Sequence, residues 1–135
     1  MEVKKTILLV EDEILLLLSN KIKLERMGYL VLSANSGEEA IILANVDSSI
    51  DLILMDIVLG SDINGISAAE EILKYREIPI IFYSNQTDAE IVKRANKISS
   101  YGFIEKFAHA SILNTSIATA LKLFEEKKLL KAINM

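Results

Sequence analysis

Short apolar runs alternate along this chain with longer stretches in which apolar side chains recur every three or four residues. The runs at 6–10, 30–34, 51–55, 79–83 and 102–104 have strand length, and most are apolar on both faces, the pattern of parallel strands covered by helices on each side. The stretches between them, 13–27, 36–46, 64–75, 88–98 and 110–128, carry helical periodicity. Five β-α units in succession predict an α/β fold, an open, doubly wound, five-stranded parallel sheet with five helices. Residues 1–128 form one domain in this reading, and 129–135 a C-terminal tail that continues the last helix and frays.

Boundary residues agree with the pattern. Gly28 follows the first helix as a C-terminal cap, and Ser36 with Glu39 three residues on resembles a capping box for the second. Pro79 stands at the start of its strand, where a missing N–H matters least. In the last helix Leu113, Ile117, Leu121 and Phe124 form the inward stripe, while Glu125 to Lys128 is charged. The first helix is more apolar than packing on a sheet requires, because Ile14, Leu15, Leu16, Leu17 and Leu18 go round most of its circumference. Either loops and neighbouring helices cover the outward members, or they form a partner-docking surface.

Composition narrows the classes of function. At 135 residues the chain is long enough to bury close to two thirds of its unfolded surface in a single core. Net charge is −4, and the 15 basic residues are scattered, so neither nucleic acid nor an anionic membrane is the expected partner. The absence of cysteine removes disulfides, thiolate catalysis and zinc–sulfur sites, and a single histidine, His109, leaves little room for imidazole chemistry. No apolar stretch approaches 18 residues and the N-terminal residues lack a secretory signal, so a cytoplasmic location is expected. The residues after 128 are too few for an output domain, so DNA binding or catalytic output is not expected from this stretch.

The acidic residues at strand ends change the picture most. Glu11 and Asp12 close the run Ile7-Leu8-Leu9-Val10, and Asp56 closes Leu52-Ile53-Leu54-Met55. Carboxylates at the carboxyl ends of separate parallel strands converge at one edge of the sheet. There each like-charge pair at roughly 4 Å costs on the order of 4 kcal/mol at an effective dielectric of about 20. A hard divalent cation relieves that repulsion, and magnesium is usually held by one or two carboxylates together with phosphate oxygens. Ser84, after Pro79-Ile80-Ile81-Phe82-Tyr83, and Lys106, after Gly102-Phe103-Ile104-Glu105, end strands in the same way and belong with them.

Over nearly its whole length the chain resembles the receiver domains of two-component response regulators. The resemblance is carried by Leu9-Val10-Glu11-Asp12-Glu13, Gly28-Tyr29, Asp51-Leu52-Ile53-Leu54-Met55-Asp56-Ile57, Asn64-Gly65-Ile66, Ile80-Ile81-Phe82-Tyr83-Ser84 and Gly102-Phe103-Ile104-Glu105-Lys106. It implies a flavodoxin-like sheet of strand order 2-1-3-4-5. It also implies that Asp56 is a phosphoacceptor that attacks a phosphohistidine in line to form an acyl phosphate. Mg2+ would be held by Asp12, Asp56, Glu11 (directly or through water) and the Val58 backbone carbonyl, with Lys106 and Ser84 meeting phosphoryl oxygens. Phe103 matches the family's switch aromatic, which turns into space vacated when the Ser84 hydroxyl moves toward the phosphoryl group. A histidine kinase or phosphotransfer protein is the implied partner, with a homodimer through the fourth helix, fifth strand and fifth helix.

Four positions depart from the family pattern. Glu11 replaces the commoner aspartate and carries its carboxylate about one bond further, Gly60 replaces a proline and should loosen Gly60-Ser61-Asp62-Ile63, and Asn85 is larger than the usual alanine. Phe107 replaces the proline that normally follows the lysine through a cis bond. A cis bond before a non-proline residue costs about 3–4 kcal/mol, so the bond is expected to be trans, or cis under strain. Either outcome puts the reach of Lys106 toward Asp56, and with it the efficiency of signalling, in question, but not the fold. Two other functions compete with the phosphoryl switch: a degenerate receiver acting as a constitutive scaffold, and an aspartate-nucleophile phosphatase. The phosphatase would need a second acid two residues after Asp56, where the chain has Val58.

Overall fold

β1 (Thr6–Val10) is buried along its whole length, as is β4 (Ile80–Ser84), and β3 (Ile50–Asp56) is buried at all but one position. These are the central strands of a five-stranded sheet of order β2-β1-β3-β4-β5, every pairing parallel, with β2 (Leu30–Ala34) and β5 (Phe103–Glu105) at its edges. The helices are α1 (Ile14–Arg26), α2 (Gly37–Val46), α3 (Gly65–Leu73), α4 (Ala89–Ile98) and α5 (Ala110–Ile133), in strict alternation with the strands. This computed structural model describes residues 3–60, 63–85, 89–99 and 101–134. Ser61 and Asp62 of the expected loose loop, Asp88 at the expected start of α4 and Met135 of the tail lie outside the described residues.

Strand pleating divides the core in two. Leu8, Val10, Ile53, Met55 and Phe82 pack toward α2, α3 and α4, together with half-buried Phe103, whereas Ile7, Leu9, Leu52, Leu54, Ile81 and Tyr83 pack toward Leu17 and Leu24 of α1 and Leu113 and Ile117 of α5. With both faces covered, near-continuous apolar strands are required, which is why no hydrophobic–polar alternation is visible in the sequence of β1, β3 or β4.

The predicted caps form. Gly28 adopts φ 101 after α1, a left-handed conformation that costs glycine little, and the Ser36 side chain accepts from the Glu39 N–H at 3.1 Å. Pro79 lies one residue before β4, and its carbonyl accepts from the Ile53 N–H at 3.0 Å. Arg76, after α3, donates to the carbonyls of Ala44 (2.9 Å), Asp47 (2.8 Å), Ser48 (3.3 Å) and Ile50, which satisfies the end of α2 and its turn into β3.

Two readings become more definite. α5 runs to Ile133, through most of the tail read as its fraying continuation: Leu129, Leu130, Lys131 and Ala132 are all good helix formers, and Lys131 pairs with Glu77 at 2.8 Å. The outward residues of α1 are covered by nothing within the described chain, since Ile14 is 64 % exposed, Leu15 80 %, Leu18 48 % and Ile22 49 %. They form one apolar stripe along the helix.

Candidate functional site

The alternation that fills the α1/α5 side of the core also builds the site. Glu11 lies two residues beyond Leu9, Asp56 two beyond Leu54 and Lys106 two beyond Ile104, so each continues an inward-facing column past the carboxyl end of its strand. The columns meet. Lys106 Nζ lies 2.8 Å from Asp56 Oδ2 and 3.1 Å from Glu11 Oε1, with all three side chains almost wholly buried. One carboxylate oxygen from each of Glu11, Asp12 and Asp56 lies within 4.8 Å of the others.

Backbone groups fix the acids individually. The Val58 N–H donates to Asp56 Oδ1 at 3.2 Å, the Gly60 N–H to Asp12 Oδ2 at 2.8 Å, and the Glu13 N–H to Glu11 Oε2 at 3.2 Å. Glu11 is fully buried, whereas Asp12 is exposed, so the cluster opens to solvent through Asp12 and the loop at Val58, itself half exposed. Asp12 does not cap α1, whose N-cap is Glu13 with no side-chain cap bond.

Ser84 is buried beside this cluster. β3 and β4 pair Asp56 with Tyr83, so Ser84 is one residue further along the neighbouring strand, and its carbonyl accepts from the Lys106 N–H at 3.2 Å. Phe103 sits at the start of β5 on the α4 side of the sheet. The Lys106–Phe107 peptide is trans, and Phe107 points outward, 74 % exposed. Lys106 reaches Asp56 without the proline.

Burial dominates the electrostatics. It pushes the Asp56 carboxyl up to about 7, with the Glu11 carboxylate adding to the rise and Lys106 opposing it. For Lys106 burial works against the charge, but its close contact with the Asp56 carboxylate, followed by that with Glu11, outweighs it and holds the ammonium above its ordinary value.

One residue of the site carried no signal in the sequence beyond its place in an apolar strand. Tyr83 is 3 % exposed, and its hydroxyl donates to Glu11 Oε1 at 3.0 Å and lies 3.3 Å from the Val10 carbonyl oxygen. Burial and then the Glu11 and Asp56 carboxylates hold this hydroxyl far above the usual tyrosine range, so it stays protonated. Counting by twos from Ile81 would have placed it beside Glu11.

Gly65 is different: the sequence offers it as a motif residue, but not the contact that requires glycine there. A Cβ there would lie 1.9 Å from the Asp56 carbonyl oxygen, backbone against backbone, while the Gly65 N–H donates to the Ile57 carbonyl at 2.8 Å. Gly65→Ala is expected to cost about 3 kcal/mol in denaturant unfolding. By contrast Gly60→Ala, whose Cβ would meet only the Asp12 carboxylate tip at 2.8 Å, is expected to cost under about 1 kcal/mol, because that side chain can swing aside. Equal losses would refute the distinction.

The donor set fits a hard divalent cation. It is all carboxylate oxygen, three acids face one ammonium, and buried Asp56 Oδ2 has an ionic contact with Lys106 but no well-aligned hydrogen bond. Soft-metal chemistry is poorly served by such a set.

Comparison with known proteins agrees with this geometry. The family model for the response regulator receiver domain matches residues 7–118. The transcriptional regulatory protein PdtaR of Mycobacterium tuberculosis is 31 % identical over 125 residues, covering 92 % of this chain and 60 % of that protein. The CAI-1 autoinducer sensor kinase/phosphatase CqsS of Vibrio cholerae is 32 % identical over 120 residues, 85 % of this chain and 17 % of its own length. The chain thus spans less than two thirds of either relative's length. Among solved structures, the N-terminal domain of a response regulator/sensory box/GGDEF 3-domain protein from Carboxydothermus hydrogenoformans superposes with a TM-score of 0.84 at 33 % identity, covering 91 % of this chain and 98 % of that one. A CheY-like receiver domain from Methanospirillum hungatei gives 0.85 at 26 % identity, with 93 % and 99 % covered.

Proposed function

The chain belongs to the response regulator receiver domain family, and on that premise we propose that it is a phosphorylation-switched binding module whose phosphoacceptor is Asp56. The observation that supports this best is the meeting of Asp56 and Glu11 at one buried ammonium, Lys106 Nζ, 2.8 and 3.1 Å away, at the carboxyl end of the sheet. In the ionised form an Asp56 oxygen attacks the phosphorus of a phosphohistidine, the P–N bond breaks, and the imidazole departs with the electron pair, leaving an acyl phosphate. A histidine kinase or phosphotransfer protein supplies the group. The chain itself is the phosphoacceptor and carries no separate catalytic output in this reading.

Glu11, Asp12, Asp56 and the Val58 carbonyl would hold Mg2+, which when bound neutralises charge on the acids and on the incoming phosphoryl oxygens. Lys106 already stands beside the attacking carboxylate and gives its charge to a phosphoryl oxygen as the transfer proceeds. Ser84, one residue beyond the partner of Asp56 on β4, donates its hydroxyl to another. Movement of Ser84 toward the phosphoryl group opens space for Phe103 to turn inward, which shifts a pre-existing equilibrium at the face formed by α4, β5 and α5. That face is the proposed homodimer contact. The apolar stripe of Ile14, Leu15, Leu18 and Ile22 next to the acids suits docking of the phosphodonor protein.

No helix among the described residues is long and apolar enough to cross a membrane, which accords with a proposed cytoplasmic setting. Residues 1–128 are the proposed receiver unit, with the end of α5 as its tail.

Beryllofluoride, which imitates a phosphoryl group on a carboxylate, provides the test. With Mg2+ present it is expected to bind the wild type and shift the NMR resonances of β4, α4 and β5, and to leave Asp56→Asn unchanged. A folded wild type that shows no Mg2+-dependent response would overturn the proposal.

A further inference from the structure

We propose that Tyr83 is a positioning residue for the metal site, holding the long Glu11 side chain in one orientation so that its carboxylate is pre-set beside Asp12 and Asp56. This rests on the reading of those acids as Mg2+ ligands. Position 83 plays no part in the phosphoryl chemistry described above.

A glutamate has one more rotatable bond than an aspartate, so a carboxylate at position 11 needs more restraint to keep one geometry. Three groups supply it: the Glu13 N–H at Oε2, and Lys106 Nζ and the Tyr83 hydroxyl at Oε1, at 3.1 and 3.0 Å. Lys106 cannot be a fixed anchor, because it also contacts Asp56 at 2.8 Å and would follow a phosphoryl group placed there. Tyr83 can be one. Its ring is buried in the core layer that also holds Leu9, Leu54 and Leu17, and Asn20, a buried amide of α1, is close enough to act on its hydroxyl. Burying a hydroxyl in an otherwise apolar layer is costly without a partner, and Glu11 is that partner. Tyr83 thus ties Glu11 to the core through a side chain outside the phosphoryl chemistry proposed above. Outer-shell hydrogen bonds of this kind typically govern metal affinity by tenfold or more.

Mg2+ titration followed by NMR or calorimetry tests the assignment without any phosphoryl transfer. Tyr83→Phe is expected to raise the Kd for Mg2+ about tenfold. In a Glu11→Asp background, where the shorter side chain no longer reaches the hydroxyl, Tyr83→Phe is expected to change the Kd less than twofold. A purely structural role for the tyrosine predicts the same change in both backgrounds, and that result, or no change in either, overturns the inference. The unaltered chain gives an independent arm: the ring resonances of Tyr83 should move with the same midpoint as Mg2+ binding, and resonances that stay fixed count against it. If the wild type binds no Mg2+ at all, the reading of the acids as a metal site falls and this inference with it. Wild-type binding that is indifferent to Tyr83→Phe overturns the inference alone.

Discussion

Asp56→Asn is expected to abolish phosphorylation and, at the same time, to make the metal-free chain more stable above neutral pH. The first effect follows from the chemistry, because an amide at this position has no carboxylate oxygen with which to form an acyl phosphate. The second follows from burial. The Asp56 carboxyl titrates near 7 in the folded chain against an ordinary value of 3.8. A carboxyl whose pKa is raised by folding costs nothing below its unfolded value, where both states are protonated. It costs progressively more as pH rises from about 4 to about 7, because the unfolded chain releases the proton first, and the cost is constant above that window. The difference between 3.8 and about 7 corresponds to a ceiling on the order of 4 kcal/mol. Asparagine, neutral throughout, escapes it. Urea denaturation in the presence of a chelator should show the variant and the wild type converging near pH 4 and diverging up to pH 7, with Mg2+ narrowing the gap by favouring the ionised wild-type carboxylate. A variant less stable than the wild type at every pH would contradict the assignment.

Lys106→Ala carries the opposite sign. Glu11 and Asp56 are fully buried, and Lys106 is their common cation, at 3.1 and 2.8 Å. Removing one partner of a buried charge pair typically costs 3–5 kcal/mol, because the remaining charge is left without compensation. The loss applies below the titration of the lysine. Its folded pKa lies above its ordinary 10.5, so its contribution is fully present at neutral pH and disappears only as pH rises through that raised value. At pH 7.5 without metal, unfolding of Lys106→Ala should therefore require several kcal/mol less free energy than the wild type, and Mg2+ should restore part of the difference. A loss below about 1 kcal/mol would mean that solvent screens the pair. Phosphorylation of this variant should also be slow, since no cation from the protein then faces the phosphoryl oxygens.

The order of elements and the five residues at strand ends could be read directly from the sequence, for a definite reason. Central strands buried on both faces must be apolar throughout, so a charged or hydroxylic residue where such a run stops marks the carboxyl end of the strand, as at Glu11, Asp56 and Ser84. Tyr83 was hidden by the same rule. Inside an apolar run a tyrosine passes for a core residue, and only the count from Ile81 reveals that its hydroxyl ends among carboxylates. Gly65 was visible as a motif residue, but the close approach to the Asp56 carbonyl that requires glycine depends on the path of the loop after β3. The end of α5 is less legible, because the charged run Glu125 to Lys128 suggests fraying, whereas helix propensity and the Lys131–Glu77 pair carry the helix on to Ile133. The trans bond before Phe107 illustrates the converse: one family residue is missing, yet the lysine it usually accompanies still reaches its partners.

Every step proposed for the site requires that Asp56 itself becomes phosphorylated. Incubation of the chain with a small-molecule phosphodonor such as acetyl phosphate and Mg2+, followed by borohydride trapping and peptide mass spectrometry, reads it most directly. The account predicts a single modified site, at Asp56, that is lost in the presence of a chelator. Modification at another acid, or none on a folded protein with Mg2+ present, would contradict it.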